Sequence, residues 1–283
     1  MVDPRMGDHP GTDRVDPAPR TDVRLDTVLG DRGLARSRTH AARLITDGLV
    51  TVDGKPQVKA SFRVRENQVV EVAESDHYVS RAAHKLNAAL DAFGVDVSGR
   101  RALDVGASTG GFTQVLLERG AEHVIALDVG HGQLNPTIAA EPRVTLVEGV
   151  NARYLTPQIL SDTSGTDIVP TVVVADLSFI ALPTVLPALV ATVGRTADYV
   201  LLVKPQFEVG RSGIKEGIVR SAPLRRDAVS AVVWAAWDQG LGTAGIISSP
   251  IAGNAGNLEY LVWLSAEVGV NPTEWIQRIS ALA

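Results

Sequence analysis

From about residue 80 onward, short apolar runs alternate with longer amphipathic stretches. The runs Arg101–Val105, His123–Asp128, Val144–Glu148, Thr171–Asp176, Tyr199–Lys204, Thr243–Ser248 and Leu258–Leu264 have the length and β-branched content of buried strands. Ser80–Phe93, Phe112–Arg119, Pro183–Val193 and Pro223–Gln239 carry helical spacing between them, and Asn271–Ala283 suggests one more helix. Such alternation predicts an α/β fold with a Rossmann-like, seven-stranded, mostly parallel sheet and helices on both faces. Ligands bind such sheets at the carboxyl ends of the strands, so the residues that close each run are the ones to inspect. The stretch Leu177–Gly194 has no charge and reaches the lower length limit of a membrane span, but it contains Pro183, Pro187, Ser178 and threonines. It is read as a buried crossover helix.

The chain before residue 80 follows another pattern. Residues 1–21, rich in Asp, Pro and Arg, predict a disordered tail without a secretory apolar region. Residues 22–73 read as a compact unit, followed by a linker over 74–79 and a catalytic domain over 80–283. In the small unit Arg24–Leu29 begins a first helix and Ser37 is the expected N-cap of a second, Arg38–Asp47. Ala41, Ala42, Leu44 and Ile45 form the apolar side of that helix, with Arg38 and Arg43 facing out. Leu49–Val52 and the Asp53-Gly54 turn predict a hairpin, and Gln68–Val72 a last strand.

Charge adds a contrast between these parts. The formal net charge is −5, yet Arg32 to Arg65 alone carries about +6, a locally basic module suited to an anionic polymer. There are no cysteines and the six histidines are scattered. Disulfides, thiolate metal sites and cysteine attack on a pyrimidine ring are therefore excluded, and no metal mechanism is expected. The stretch "RLDTVLGDRGLARSRTHAARLITDGLVTVDGKPQ" resembles the S4-like RNA-binding domain, an α+β unit. The resemblance implies that Arg24, Arg36, Arg38, Arg43 and Lys55 belong to an RNA-facing surface.

The first strand of the large domain runs into Asp104-Val105-Gly106-Ala107-Ser108-Thr109-Gly110-Gly111. Glycines after a buried strand permit close backbone approach to a ligand. The loop matches neither phosphate-binding pattern, and its leading acid suits a cationic ligand such as S-adenosylmethionine better than a pyrophosphate. Asp128, ending the second strand, is placed to accept from a ribose diol, and Asn151 to meet an adenine edge. A turn-forming Asp and a loop-stabilising Asn are the simpler readings of each alone. Asp104, Gly106, Gly110, Asp128 and Asn151 together favour the methyl donor over a nucleotide cofactor.

The acceptor is suggested by four charges at strand ends or beside them: Lys85, Asp176, Lys204 and Glu259. The polar-Pro-Pro-aromatic loop of amino-methylating enzymes is missing, since the fourth strand runs into Asp176-Leu177-Ser178-Phe179. A salt bridge is the simpler reading of any one pair. The four together suit a ribose 2′-hydroxyl, which needs a base. Lys204 serves if desolvation and the nearby Lys85 lower its pKa, with Asp176 and Glu259 orienting the lysines and Asp176 also bearing on the donor's sulfonium.

The stretches "YVSRAAHKL", "ALDVGASTGGFTQVLLERGA", "DVGHGQL", "VVADLSFI", "VKPQFEVG" and "GNLEYLVWL" resemble the TlyA family. That resemblance implies an S4-like domain joined to an FtsJ-like methyltransferase whose Lys-Asp-Lys-Glu tetrad falls on Lys85, Asp176, Lys204 and Glu259. It also implies a cytidine of 23S ribosomal RNA as target, with 16S RNA as well in some members. A cytoplasmic monomer acting on ribosomal RNA or subunits, without membrane or metal, is expected. The competing classes are a membrane-active hemolysin, a label the family also carries, and a non-catalytic ribosome-assembly factor.

Overall fold

The computed structural model describes residues 22–282, apart from 36, 47, 73–76, 211–212, 254–255 and the side chain of 43. The expected tail over 1–21 and residues 74–76 of the linker lie outside the described residues. The chain divides at residues 75–76 into two compact units.

The first unit comprises β1 (Val23–Arg24), α1 (Leu25–Asp31), α2 (Arg38–Thr46), β2 (Val50–Val52), β3 (Lys55–Pro56), β4 (Arg63–Val64) and β5 (Val70–Val72). Ser37 caps α2, its Oγ accepting from the His40 amide at 3.1 Å. Ala41, Leu44 and Ile45 are buried against Leu25, Leu29 and Val50 in one apolar cluster. Asp53 and Gly54 both take positive φ, +50° and +72°. That is the backbone a two-residue hairpin needs, and β2 and β3 pair across it. The first helix begins one residue later than the pattern suggested because Arg24 is held in β1, which pairs with β4.

Asp26, buried on α1, accepts from Arg24 Nε and Nη2 at 2.9 Å each and from Arg38 Nε at 3.3 Å. The Arg24 guanidinium holds the Asp26 carboxyl down at about 2, with burial opposing and Arg38 assisting. A carboxyl depressed in the folded state stabilises above its unfolded pKa and loses that contribution as pH falls through the folded value. Asp26→Asn is therefore expected to cost about 1–2 kcal/mol at neutral pH, discounted for the exposure of both arginines. The difference from wild type should vanish between pH ~4 and ~2. Hydrogen exchange of the α1 amides in the full chain measures this, and equal protection at pH 6 would contradict it.

The second unit contains α3 (Ala82–Phe93), β6 (Arg101–Val105), α4 (Gly111–Glu118), β7 (His123–Asp128), α5 (Pro136–Ala139), β8 (Val144–Glu148), α6 (Pro157–Ser164), β9 (Val172–Ala175), α7 (Leu182–Val193), β10 (Asp198–Val203), α8 (Pro205–Glu208), α9 (Ala222–Asp238), β11 (Gly242–Ser248), β12 (Tyr260–Ser265) and α10 (Ile276–Leu282). Its seven strands lie in the order β11-β12-β10-β9-β6-β7-β8. β6 pairs in parallel with both β7 and β9, and β12 is antiparallel to β10 and β11. Strand residues alternate between two cores. Leu103, Ile125, Val173 and Leu201 face the α7–α9 side, whereas Ala102, Val124, Val172 and Val200 face the α3–α4 side. The apolar stretch forms the 12-residue α7, with Leu182, Val185, Leu186 and Leu189 in the core. No helix among the described residues is long and apolar enough to cross a membrane.

The chain leaves β6 for β7 and β8 on one side and returns to β9 and β10 on the other. β6 and β9 thus flank the topological switch point, where such sheets open a crevice. Some boundaries differ from the sequence expectation. Asp176 lies just past β9, Lys204 caps α8, and Glu259 precedes β12 rather than opening it. The C-terminal segment splits into a 3₁₀ turn, Pro272–Trp275, and α10, because Asn271 Oδ1 accepts from the Thr273 amide and starts a tighter turn.

Candidate active site

A cavity of about 480 Å³ opens at the switch point, a volume within the range of nucleoside-sized ligands. Gly106, Ser108, Asp128, Asn151 and Asp176 line it together with apolar Val150, Ala152 and Val185. Gly106 has φ +83°, and a Cβ there would lie 2.8 Å from the Asp176 carbonyl oxygen, so backbone closes this wall. Ser108, at φ +48°, turns the loop outward, and its amide donates to Asp128 Oδ2 at 2.8 Å. Asp128 Oδ1 accepts from the Gly130 amide at 2.7 Å. One carboxylate thus joins the β6–α4 loop to the β7–α5 loop at the cavity wall.

Of the other predicted donor-site residues, Asp104, Ala107, Gly110 and Gly111 are buried outside the cavity lining and Thr109 is exposed. Ala107 is buried, its amide bonded to the Leu127 carbonyl at 3.1 Å, and the Thr109 carbonyl accepts from the Asn135 amide. Gly110 and Gly111 pack against Leu134 and against Ser80 ahead of α3. Asn151 faces the cavity, but its Oδ1 accepts from the Arg153 amide at 3.0 Å, so it also has the loop-stabilising role. Asp104 is fully buried, with Oδ2 accepting from Thr113 Oγ1 at 2.6 Å and Oδ1 without a partner among the described residues. Burial pushes its carboxyl up to about 7; the Thr113 hydroxyl opposes that and the Asp176 charge adds to it. Sequence reading missed Thr113, which sits on α4 nine residues after Asp104. The carboxylates, the backbone wall and the apolar sides together fit a cationic ligand with an apolar ring body.

The four charges form two ion pairs. Lys204 Nζ lies 2.5 Å from Asp176 Oδ1 and donates to Ser178 Oγ at 3.1 Å. Lys85 Nζ lies 2.5 Å from Glu259 Oε2, with side chains only 7% and 2% exposed. Sheet register explains the arrangement. Val203 is opposite Tyr260 in the β10–β12 ladder, so Lys204 and Glu259 are the next residues beyond it. Asp176 follows Ala175, which pairs with Val105 of β6, and its amide reaches the Val105 carbonyl at 3.1 Å. Asp176 is therefore common to the cavity wall and the lysine pair. Ser178 and Phe179, which is 91% exposed at φ +65°, also line the cavity. Neither was singled out from sequence, although both fall in the quoted Asp176–Phe179 run. Among the described residues no group of three His, Asp or Glu side chains is placed to hold a metal ion.

In the small unit, Arg24 and Arg38 bind Asp26, yet the Arg38 side chain remains 70% exposed and Lys55 is exposed on β3. Arg36 and the Arg43 side chain lie outside the described residues.

Comparison with known proteins adds to this geometry. The family pattern of FtsJ-like methyltransferases matches residues 78–266 and that of the S4 domain residues 23–70. A Mycobacterium tuberculosis protein named 16S/23S rRNA (cytidine-2′-O)-methyltransferase TlyA is 49% identical over 87% of this chain and 90% of its own. The chain belongs to the TlyA family. Another relative of this TlyA chain, Hemolysin A of Brachyspira hyodysenteriae, is 36% identical over 84% of this chain and 98% of its own. A solved structure from Streptococcus thermophilus that carries the hemolysin label superposes with a TM-score of 0.71 at 34% identity, covering 92% of this chain and 94% of that one. As a TlyA protein with an FtsJ-like domain, the chain is a methyltransferase.

Proposed function

We propose that the protein transfers a methyl group from S-adenosylmethionine to the 2′-hydroxyl of a cytidine in ribosomal RNA, in 23S RNA and also in 16S RNA. The observation that carries this reading is the position of Asp176, which faces the cavity and holds Lys204 Nζ at 2.5 Å. The activity for which the mycobacterial relative is named supports the acceptor.

Gly106, Ser108, Asp128 and Asn151 would hold the donor, with Asp104 behind them. When bound, S-adenosylmethionine supplies a methyl carbon on a positively charged sulfur. Lys204 accepts the proton of the ribose hydroxyl as general base. Ser178 fixes the direction of the amine. Glu259 orients Lys85 as Asp176 orients Lys204, and burial keeps that pair rigid. Catalysis is then largely positioning.

The S4 unit supplies affinity through phosphate contacts, with the salt dependence such contacts carry. The protein would work in the cytoplasm as a monomer, without a metal. Mapping ribose methylation on ribosomal RNA from cells with and without the gene tests the whole reading. Loss of a 2′-O-methylcytidine is expected, and an unchanged map would sink it.

A further inference from the structure

Residues 204–208, which carry Lys204 and then form α8, meet the segment 176–182 at successive points. Lys204 meets Asp176 and Ser178, and the Phe207 ring packs on Phe179 with centroids 5.2 Å apart. Glu208 Oε1 accepts from the Leu182 amide at 3.0 Å. Leu182 is the first residue of α7, whose N-cap, Ala181, gives no side-chain cap. Its amide is one of the donors that a helix start leaves without an internal partner. Glu208 meets this need from a different segment, and a carboxyl group is favourable at that end of a helix.

The loop held between these points is strained. Phe179 takes φ +65°, a left-handed conformation that residues with a Cβ rarely adopt, and it persists only where the surroundings enforce it. Nothing in the chemistry uses Glu208, which is largely buried and has Oε2 without a partner among the described residues.

We propose that Glu208 is a positioning residue, whose bond to the Leu182 amide holds the Asp176–Ala181 loop in register with Lys204. This rests on the reading of Lys204 as the base. Losing the bond frees the start of α7, lets Phe179 relax and displaces Ser178 from the amine, while Asp176 keeps its amide bond to the Val105 carbonyl and its place in the cavity wall. Burial pushes the Glu208 carboxyl up to about 7, with the Leu182 amide opposing. Both the acid and the carboxylate present an acceptor to Leu182, and so does a glutamine.

The test uses the full chain with purified ribosomal subunits, together with hydrogen exchange over residues 177–182. Glu208→Ala is expected to lower kcat about 10- to 100-fold, as a small misplacement does, with donor Kd within about threefold of wild type. Exchange across the loop should rise. Glu208→Gln, which keeps the acceptor, should restore kcat to within about threefold and loop protection to the wild-type level. Should Glu208→Ala fail to fold, Glu208→Asp, one methylene too short to reach Leu182, gives the same readouts. The proposal is overturned if Glu208→Ala keeps wild-type kcat, if only melting temperature or donor affinity changes, or if Glu208→Gln is as defective as Glu208→Ala. Wild-type protein that methylates neither subunit would overturn the functional reading instead, and loop exchange would still report on the bond.

Discussion

Lys204→Ala is expected to lower single-turnover methyl transfer by about a thousandfold, within the range that a positioned general base contributes. RNA affinity should stay within about twofold if the phosphate contacts that dominate it are those proposed for the S4 unit. Donor affinity should not fall, since Asp176 loses its cationic partner and still faces the cavity. Lys204→Arg separates proton transfer from charge. A guanidinium can pair with Asp176 but is never neutral in a protein, so this variant should be nearly as inactive as Lys204→Ala. If Lys204→Arg keeps activity within tenfold of wild type, Lys204 acts through its charge and the base lies elsewhere.

Gly106→Val should have an effect of similar size on donor binding. The residue sits at φ +83°, where a side chain costs about 1–2 kcal/mol before any contact is counted. Its Cβ would stand 2.8 Å from the Asp176 carbonyl oxygen and 3.2 Å from Leu177 Cδ2. The oxygen is backbone, just past the end of β9, and has no rotamer by which to withdraw. Relief requires the two strand ends to part, which deforms the cavity wall and displaces Asp176. We expect donor affinity measured by calorimetry to fall at least a hundredfold, about 2.7 kcal/mol or more, with RNA affinity retained. Gly165→Ala is the control: φ is +65° but nothing lies within 4 Å of its Cβ, so stability should fall slightly and donor affinity should not. Wild-type donor binding by Gly106→Val would remove this loop from the site.

Much of this was legible in the sequence because buried strands write themselves as apolar runs. Arg101–Val105, His123–Asp128 and Val144–Glu148 coincide with β6, β7 and β8, and the remaining strands shift by a residue or two. Asp176 and Lys204 were found because a charge ending an apolar run at the carboxyl edge is conspicuous, and their pairing follows from register. Other features depend on contacts between distant residues, for which local periodicity carries no signal. β1 and β4 have two residues each, too few to alternate. Arg24 reads as a surface cation until Asp26 is seen to be buried. Asn151 shows its capping bond only in the folded loop. Glu208 gives no hint in sequence that its partner is the start of α7, 26 residues earlier.

The direction of β12 has a consequence for biosynthesis. It enters between β10 and β11 and runs against both, so the sheet is finished by its final strand and Glu259 arrives just ahead of it. A nascent chain can contain the whole donor loop and Lys204 while Lys85 still lacks its carboxylate. Any product that stops short of Glu259 carries an uncompensated lysine on α3, a severe penalty once that position is buried. A chain that ends before Glu259 is therefore expected to be unstable rather than partly competent.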